Sequence, residues 1–484
     1  MTTPIFPLHR RAVLAGLGAV SLAAASGCAP AAVQMPAPKS RQFPKDFIWG
    51  AASAAYQIEG ALDADGRGES VWDVFAHIDG KIVDHSLPAI ACDSYRRYAE
   101  DAALLSGASL KNYRFSIAWP RVQPTGAGAA NEKGLDYYSR LADALLAQGV
   151  TPWATLFHWD LPQALQANGG WGNRDIAERF ADYAGVIAAK LGDRVKNFIV
   201  LNEAAVHAVL GHVTGEHAPG LKDAGLLGRV IHHENLAQGR AIQALRAARN
   251  DLRIGTTLAL MPARAEGGVA AFANRPAAEG FDALWNGAFL DPLLRGAYPE
   301  GALATIGAAL QADDLAITKQ PVDFIGVNYY SPAYIKLDLS SPSRIAAGAP
   351  PADTPRDAFG REIDPSGLYE MLERLRTQYE NPLVYITENG CSDPFSNGPA
   401  VIEDGFRIDY LRKHLEAVRS AMEAGGRIGG YFHWSLIDNW EWALGFTSKF
   451  GLVGMNRDTG LRTPKASYAW MKALAESGLL DTAA

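Results

Sequence analysis

Two glutamates, Glu203 and Glu388, each close an apolar, β-branched run, KNFIVLNE and PLVYITE. A run of that kind reads as a buried strand, so each carboxylate falls where a strand meets whatever opens above it. Two carboxylates facing each other across a cavity can cleave a glycosidic bond. One protonates the leaving oxygen while the other attacks the anomeric carbon or activates water. The two roles require different environments, because the acid must hold its proton near neutral pH and the nucleophile must not. Arg114 and Tyr330 are available donors to Glu388 and would stabilise its charged form. Glu203 has only Asn202 beside it and apolar residues before it. Beside an anionic Glu388 its pKa should rise, which assigns Glu388 as nucleophile and Glu203 as acid/base.

Either glutamate alone reads equally well as a helix cap or a surface residue at a strand exit. The residues around them point further. A sugar offers apolar C–H faces and a rim of hydroxyls, so its pocket needs flat aromatics and polar side chains that can reach those hydroxyls. WSLIDNWEW, Trp434 to Trp442, supplies three tryptophans and Glu441, while Gln57, His158 and Asn202 supply amide and imidazole partners. A single tryptophan is usually core, but core packing here would bury Asp438, Asn439 and Glu441 as well.

The elements that must position these groups can be read from periodicity. Strands are expected at Phe47–Ser53, Leu110–Trp119, Val150–Phe157, Lys196–Asn202, Arg253–Leu260, Val322–Tyr329, Pro382–Thr387 and Arg427–Trp434. Helices are expected between them, at Asn131–Gln148, Asp175–Leu191, Asn235–Arg249, Pro365–Tyr379 and Phe406–Ala424. Alternation of this kind indicates a parallel sheet. Eight repeats suit a single α/β domain of the (β/α)₈ or TIM-barrel class with elaborated βα loops, whose active sites gather at the C-terminal strand ends. Those ends carry Gln57, Arg114, His158, Trp159, Asn202, Glu203, Asn328, Tyr330, Glu388 and Trp434. No glycine-rich phosphate fingerprint follows the first strand, which counts against a dinucleotide site. The Pro-, Ala-, Ser- and Gly-rich segment Ser331–Gly367 is long for a connection, and such loops are commonly functional.

The formal charge of −7 is modest and the Lys and Arg are dispersed, so the basic footprint of a nucleic-acid binder is missing. The start of the chain differs in kind. His9, Arg10 and Arg11 precede an uncharged Ala/Leu/Gly/Val run that ends at Ser26-Gly27-Cys28, before a Pro/Ala-rich spacer. Residues 1–28 are expected to be an export signal, with a twin-arginine-like pair and a lipoprotein-type box at Cys28. Residues 29–42 are read as a linker and 43–484 as the catalytic domain. On this reading the protein works outside the cytoplasm, in the periplasm or anchored by lipid at Cys28. An ordinary cleaved signal with an incidental cysteine is the alternative. Cys92 and Cys391 alone make no disulfide framework, and no Cys/His cluster has zinc-ligand spacing, so neither a metal nor a cofactor is implied.

ITENG at Glu388, LNE at Glu203, YRFSIAWPR from Tyr113, LFHWDLP from Leu156, DFIGVNYY from Asp323 and YFHWSLIDNWEWALGF from Tyr431 resemble the signatures of glycoside hydrolase family 1. FIWGAASAAYQIEGA and the closing FGLV at Phe450 agree, and the resemblance spans Phe43 to the C-terminus. It implies a retaining β-glycosidase acting on small β-glucosides or oligosaccharides. Glu388 would be the nucleophile, Glu203 the acid/base, and Arg114 and Tyr330 the groups that orient the nucleophile. Asn202 would meet the 2-hydroxyl, and Gln57, His158, Glu441 and Trp442 the other hydroxyls over Trp434. Trp159, Asn328 and Phe450 complete the substrate-binding set. An acidic Glu441 would repel a 6-phosphate. Three positions depart from the pattern: Ala204 replaces the usual proline after the acid/base, Trp440 stands where Phe is common, and Cys391 follows the nucleophile loop. β-Galactosidase or β-fucosidase activity stays open within the class, and a retired sugar-binding protein outside it.

Overall fold

The computed structural model describes residues 34–267, 271–340 and 344–481. The expected export signal, Cys28 and the start of the linker lie outside the described residues. The eight apolar runs form eight parallel strands: β1 (Ile48–Ala52), β2 (Asn112–Ser116), β3 (Thr151–Phe157), β4 (Asn197–Asn202), β5 (Arg253–Ala259), β6 (Phe324–Asn328), β7 (Val384–Asn389) and β8 (Ile428–Trp434). They pair in sequence order and close, β8 on β1, into a barrel. Helices including Glu132–Ala147, Ile176–Leu191, Leu227–Ala248, Pro365–Gln378 and Gly405–Glu423 connect them.

Below the site the barrel is plugged by aromatic side chains. Trp153 of β3 reaches across to Phe324 of β6, Tyr385 of β7 and Phe432 of β8, with ring centroids 5.3, 4.9 and 5.2 Å away. This packed layer forces the polar residues of the same strands towards the open C-terminal end.

Several boundaries differ from the sequence reading. β2 stops at Ser116, because Ile117 donates its N–H to Thr155 and Pro120 starts a short helix, Trp119–Val122. β7 runs through Glu388 to Asn389, because Glu388 pairs with Asn328 and its carbonyl accepts the N–H of Tyr329. The chain then leaves at Gly390, where a Cβ would stand 2.1 Å from the Trp434 carbonyl oxygen. The glycine of TENG thus lets the nucleophile strand pass close beside β8.

The helix expected from Asn235 starts earlier, at Leu227. Its first turns hold Gly228, His232, His233 and Glu234, polar or small residues that hide the apolar period although they are buried. Segment Ser331–Gly367 is also more than a loop. Its strands Ala333–Leu337 and Ile345–Ala347 join Ala263–Ala265 in a three-stranded sheet beside the barrel mouth. The expected linker ends sooner than residue 42. Ser420 donates to the carbonyl of Pro36, and Glu423 accepts the N–H groups of Lys39 and Ser40, so this stretch docks on the helix Gly405–Glu423.

The loops after β7 and β8 are tied together by buried ions. Arg407 binds Asp404 at 2.7 Å, Asp393, and the carbonyls of Cys391, Lys449 and Phe450. Lys465 bridges Asp393 and Asp438, and Asp438 accepts the N–H of Gly451 at 2.7 Å. Replacing Arg407 by Met would strand Asp393 and Asp404 in a dry interior. We expect a loss of about 3–5 kcal/mol of stability, read as a lower urea midpoint at unchanged m-value.

Candidate active site

β2, β4, β6 and β7 each deliver one polar side chain to the barrel mouth. Arg114 lies at the centre, 1% exposed. Its guanidinium donates to Glu388 Oε1 at 2.6 Å, to the Thr387 carbonyl at 3.2 Å, to Asn202 Oδ1 at 2.5 Å and to Thr155 Oγ1 at 3.1 Å. Tyr330 OH donates to the other oxygen of Glu388, Oε2, at 2.9 Å. Burial raises this phenol well above its ordinary pKa, with the Glu388 charge adding to it, so it remains a donor.

Glu203 follows β4 with φ 50° and ψ 51°. The left-handed conformation costs a non-glycine residue roughly 1–2 kcal/mol and turns the chain from the strand into a short helical turn, Ala204–Val206. Ala204 lacks the fixed φ of proline, but the N–H it restores is one that no first helical residue can pair within its helix. The pose of Glu203 is held by other contacts. Its N–H donates to the Thr257 carbonyl at 2.9 Å, and its Oε1 accepts from Asn328 Nδ2 at 2.7 Å. Asn328 also reaches Asn202 Oδ1 at 3.1 Å and is oriented by Thr387 Oγ1 at 2.8 Å. It stabilises the charged form of Glu388 as well, so one amide serves both carboxylates.

The two carboxylates differ in what surrounds them. Burial pushes the Glu203 carboxyl up to about 8, and the Glu388 charge adds to the rise. Burial raises Glu388 too, which corrects the expectation of a lowered value. Arg114, Tyr330 and Asn328 all oppose that rise. With the close cation on Glu388 and none hydrogen-bonded to Glu203, the proton of the pair resides on Glu203.

The remaining predicted residues gather around this pair. His158 Nε2 meets Asn202 Nδ2 at 2.9 Å. Burial and Arg114 hold its pKa well below the usual imidazole value, so the ring is neutral, and its Nδ1 finds no partner among the described residues. Trp159 donates to the Asn202 carbonyl at 2.9 Å. Gln57 donates to Asn439 Oδ1, the Trp440 carbonyl and Glu441 Oε2 at 2.9–3.1 Å, and its own Oε1 has no partner among the described residues. A cavity of about 280 Å³ is lined by His158, Trp159, Glu203, Asn328, Tyr330, Glu388, Trp434, Glu441, Trp442 and Phe450. Gln57, Arg114 and Asn202 adjoin these residues through their hydrogen bonds to Glu441, Glu388 and His158. Burial and the Glu388 charge push the Glu441 carboxyl up to about 8. It is therefore largely protonated at neutral pH, and the repulsion of a phosphate expected from its charge appears only above that value.

Sequence reading missed Phe359 and Arg361, which belong to the segment after β6, and Met261 and Trp285, which belong to the one after β5; all four line the same cavity. None sits at a strand end, and only the length of Ser331–Gly367 hinted at the first two. Among the described residues no group of His, Cys, Asp and Glu could hold a metal ion, and no helix is long and apolar enough to cross a membrane.

A (β/α)₈ barrel that sets two unlike carboxylates in an aromatic-walled cavity has the architecture of a glycosidase. The sequence pattern of Glycosyl hydrolase family 1 matches residues 39–478, and the chain belongs to that family. It is 40% identical to Beta-glucosidase A of Thermotoga maritima over 455 residues, covering 91% of this chain and 99% of the relative. It is 44% identical to Beta-glucosidase A of Acetivibrio thermocellus over 453 residues, 90% and 98% of the two chains. A Bifidobacterium breve protein named bifunctional β-D-glucosidase/β-D-fucosidase is 41% identical over 456 residues, 89% and 97% of the two chains. The solved β-glucosidase of Thermotoga maritima in complex with deoxynojirimycin superposes with a TM-score of 0.85 at 39% identity, covering 91% of this chain and all of that one.

The sign of the pH dependence follows from the proton on Glu203. Its raised value means that the acid form is present below about pH 8 and is lost as pH rises through it. We expect kcat/KM on a β-glucoside with a poor leaving group to fall through that limb. In Glu203→Gln, assayed on a 2,4-dinitrophenyl glucoside that needs no acid, the limb should be absent. A limb that persists there would belong to Glu441.

Proposed function

We propose that this chain is a retaining β-glucosidase that releases terminal non-reducing β-D-glucosyl units through a covalent glycosyl-enzyme. The supporting observation is the unequal furnishing of the two carboxylates, with Arg114 and Tyr330 on Glu388 and a raised Glu203 that has Asn328 but no cation hydrogen-bonded to it. A pair held within reach of one amide suits the close spacing of retaining enzymes, about 5–5.5 Å, better than the wider gap that leaves room for a water.

In the first step an oxygen of Glu388 attacks the anomeric carbon. The bond from that carbon to the glycosidic oxygen breaks, and the oxygen takes the proton of Glu203, so the aglycone leaves as a neutral alcohol. Glu203, now ionised, then takes a proton from a water that attacks the same carbon, and the bond to Glu388 is released. The configuration is retained by two inversions. Tyr330 and Arg114 hold the nucleophile in position and receive its charge back when it leaves. His158 Nδ1 and Gln57 Oε1, both lacking a partner among the described residues, are suited to sugar hydroxyls, and Trp434 supplies an aromatic wall for the ring.

A second reading, β-D-fucosidase activity beside the glucosidase, is favoured by the bifunctional name of the Bifidobacterium relative. The reading as an inactive sugar-binding protein predicts no burst of leaving group and is opposed by the intact pair. We further propose that the protein is exported and anchored by lipid at Cys28, on the strength of the Arg10-Arg11 pair and the Ser26-Gly27-Cys28 box.

Glu388→Ala should lose hydrolysis and be rescued by azide with formation of the α-glucosyl azide. Glu203→Ala should lose about 10²–10⁴-fold on poor leaving groups and little on 2,4-dinitrophenyl glucoside. Equal losses on both substrates would reverse the assignment. Palmitate labelling in a producing bacterium should depend on Cys28 and vanish in Cys28→Ser; an unlabelled wild-type chain would leave only an ordinary cleaved signal.

A further inference from the structure

Glu203 leaves β4 in a left-handed conformation, and the chain coils at once through Ala204–Val206 into a wider π-helical turn, His207–Thr214. His207 closes the first of these turns, since its N–H donates to the Glu203 carbonyl at 3.1 Å. A proline at position 204 would fix the turn from within. With Ala204 in its place the turn has to be held from outside.

The hold comes from the helix Leu227–Ala248. His207 Nδ1 meets Glu234 Oε1 at 2.5 Å, and both side chains are buried. The His207 ring also lies edge-on to Phe157, which ends β3, and to Trp171, with centroids 5.2 and 5.9 Å away. Neither His207 Nε2 nor Glu234 Oε2 has a partner among the described residues, so each side chain depends on this one bond. The helix that carries Glu234 is firmly seated. Four consecutive residues of it reach four segments: His232 to Asp314 at 2.8 Å, His233 to the Trp171 carbonyl at 2.9 Å, Asn235 to the Ala288 carbonyl at 2.9 Å, and Glu234 to the turn behind Glu203. At Gly228 and Gly239 its backbone lies so close to its neighbours that a Cβ would stand 1.8 and 2.0 Å from the carbonyl oxygens of Thr305 and Ile317.

Two apolar side chains would fill the space between His207 and Glu234 without the cost of drying a carboxyl and an imidazole. A hydrogen bond adds what apolar packing lacks, a set distance and direction. Burial raises the Glu234 carboxyl well above its ordinary range and lowers His207 well below its own, with His212 and His217 lowering it further. The pair therefore carries no net charge near neutral pH, and neither member lines the sugar cavity. What it can impose on Glu203 is position rather than field.

We propose that His207 and Glu234 are positioning residues for the acid/base: their hydrogen bond holds the turn after β4 and so aims the Glu203 carboxyl at the glycosidic oxygen. The inference rests on the glucosidase reading above and adds to it two residues that touch no substrate. Proton transfer tolerates little misalignment, and an error of about 1 Å costs roughly a hundredfold.

The test separates aim from folding. Glu234→Leu and His207→Phe each break the bond and strand one polar group, whereas the double variant strands none, so its urea midpoint should return towards the wild-type value. We expect all three to lose about ten- to a hundredfold in kcat/KM on hexyl β-glucoside, whose alcohol needs the acid, and little on 2,4-dinitrophenyl glucoside, whose phenolate does not. Glu234→Gln keeps a hydrogen bond to His207 and should recover most of the loss. Azide should raise kcat of the double variant on the dinitrophenyl substrate, because it attacks the anomeric carbon without a base, releases Glu388 and leaves as β-glucosyl azide. Where a single variant fails to fold, the double variant decides. Equal losses on the two glucosides, a wild-type ratio between them in the folded double variant, or a Glu234→Gln no better than Glu234→Leu would overturn the positioning role and leave the glucosidase standing. No turnover of any glucoside by the wild-type chain would remove the glucosidase reading and this inference together.

Discussion

A guanidinium buried at the barrel mouth needs an anion and a full set of acceptors, and the arrangement of strands around Arg114 supplies them. β3 gives Thr155, β4 gives Asn202, and β7 gives both the Thr387 carbonyl and the Glu388 carboxylate. A buried charge missing one of these partners would cost several kcal/mol. A one-residue slip in any of these strands would point its side chain to the other face. The registers that close the barrel are thus the ones that satisfy Arg114, and the constraint that fixes the fold also holds the nucleophile ionised.

Charge around the sugar cavity is scarce as a consequence. Three carboxylates, Glu203, Glu388 and Glu441, line one cavity, and one guanidinium bonds directly to only one of them. Burial raises all three, and the Glu388 charge raises the other two further. The arrangement carries its negative charge on Glu388 and leaves protons on Glu203 and Glu441. That distribution suits the reaction: attack by Glu388 spends its charge as Glu203 gives up its proton, so the net charge of the cavity is unchanged at the covalent intermediate.

The barrel was legible because its strands are buried on both faces and therefore read as continuous apolar runs. The catalytic side chains were legible for the opposite reason, as polar residues that interrupt such runs at their C-terminal ends. Where either contrast failed, so did the reading. His232, His233 and Glu234 are buried in the long helix from Leu227, but as polar residues they masked its apolar face. Phe359 and Arg361 line the cavity from a segment whose path depends on pairing of Ala333–Leu337 with Ala263–Ala265, a contact between distant parts of the chain that no local pattern announces. The protonation of Glu441 was hidden as well, because it depends on burial and on the distance to Glu388 rather than on residue type.

The loop after β8 shows how the remaining precision is reached. It carries Asn439, Glu441 and Phe450, which lie outside any regular element, and Trp442, which opens a short 3-10 helix, Trp442–Thr447. Gln57, in the short helix Ala55–Ile58 that follows β1, grips it from one side through Asn439, the Trp440 carbonyl and Glu441. From the other side Arg407 takes the Phe450 carbonyl, while Lys465 fixes Asp438 and through it the N–H of Gly451. Each anchor is buried and charged or multiply hydrogen-bonded, so the loop cannot shift by a fraction of an ångström without unpairing something in a low dielectric. The ion cluster, remote from the reacting atoms, therefore holds the Asp438 and Phe450 ends of the loop that carries Glu441 and Trp442.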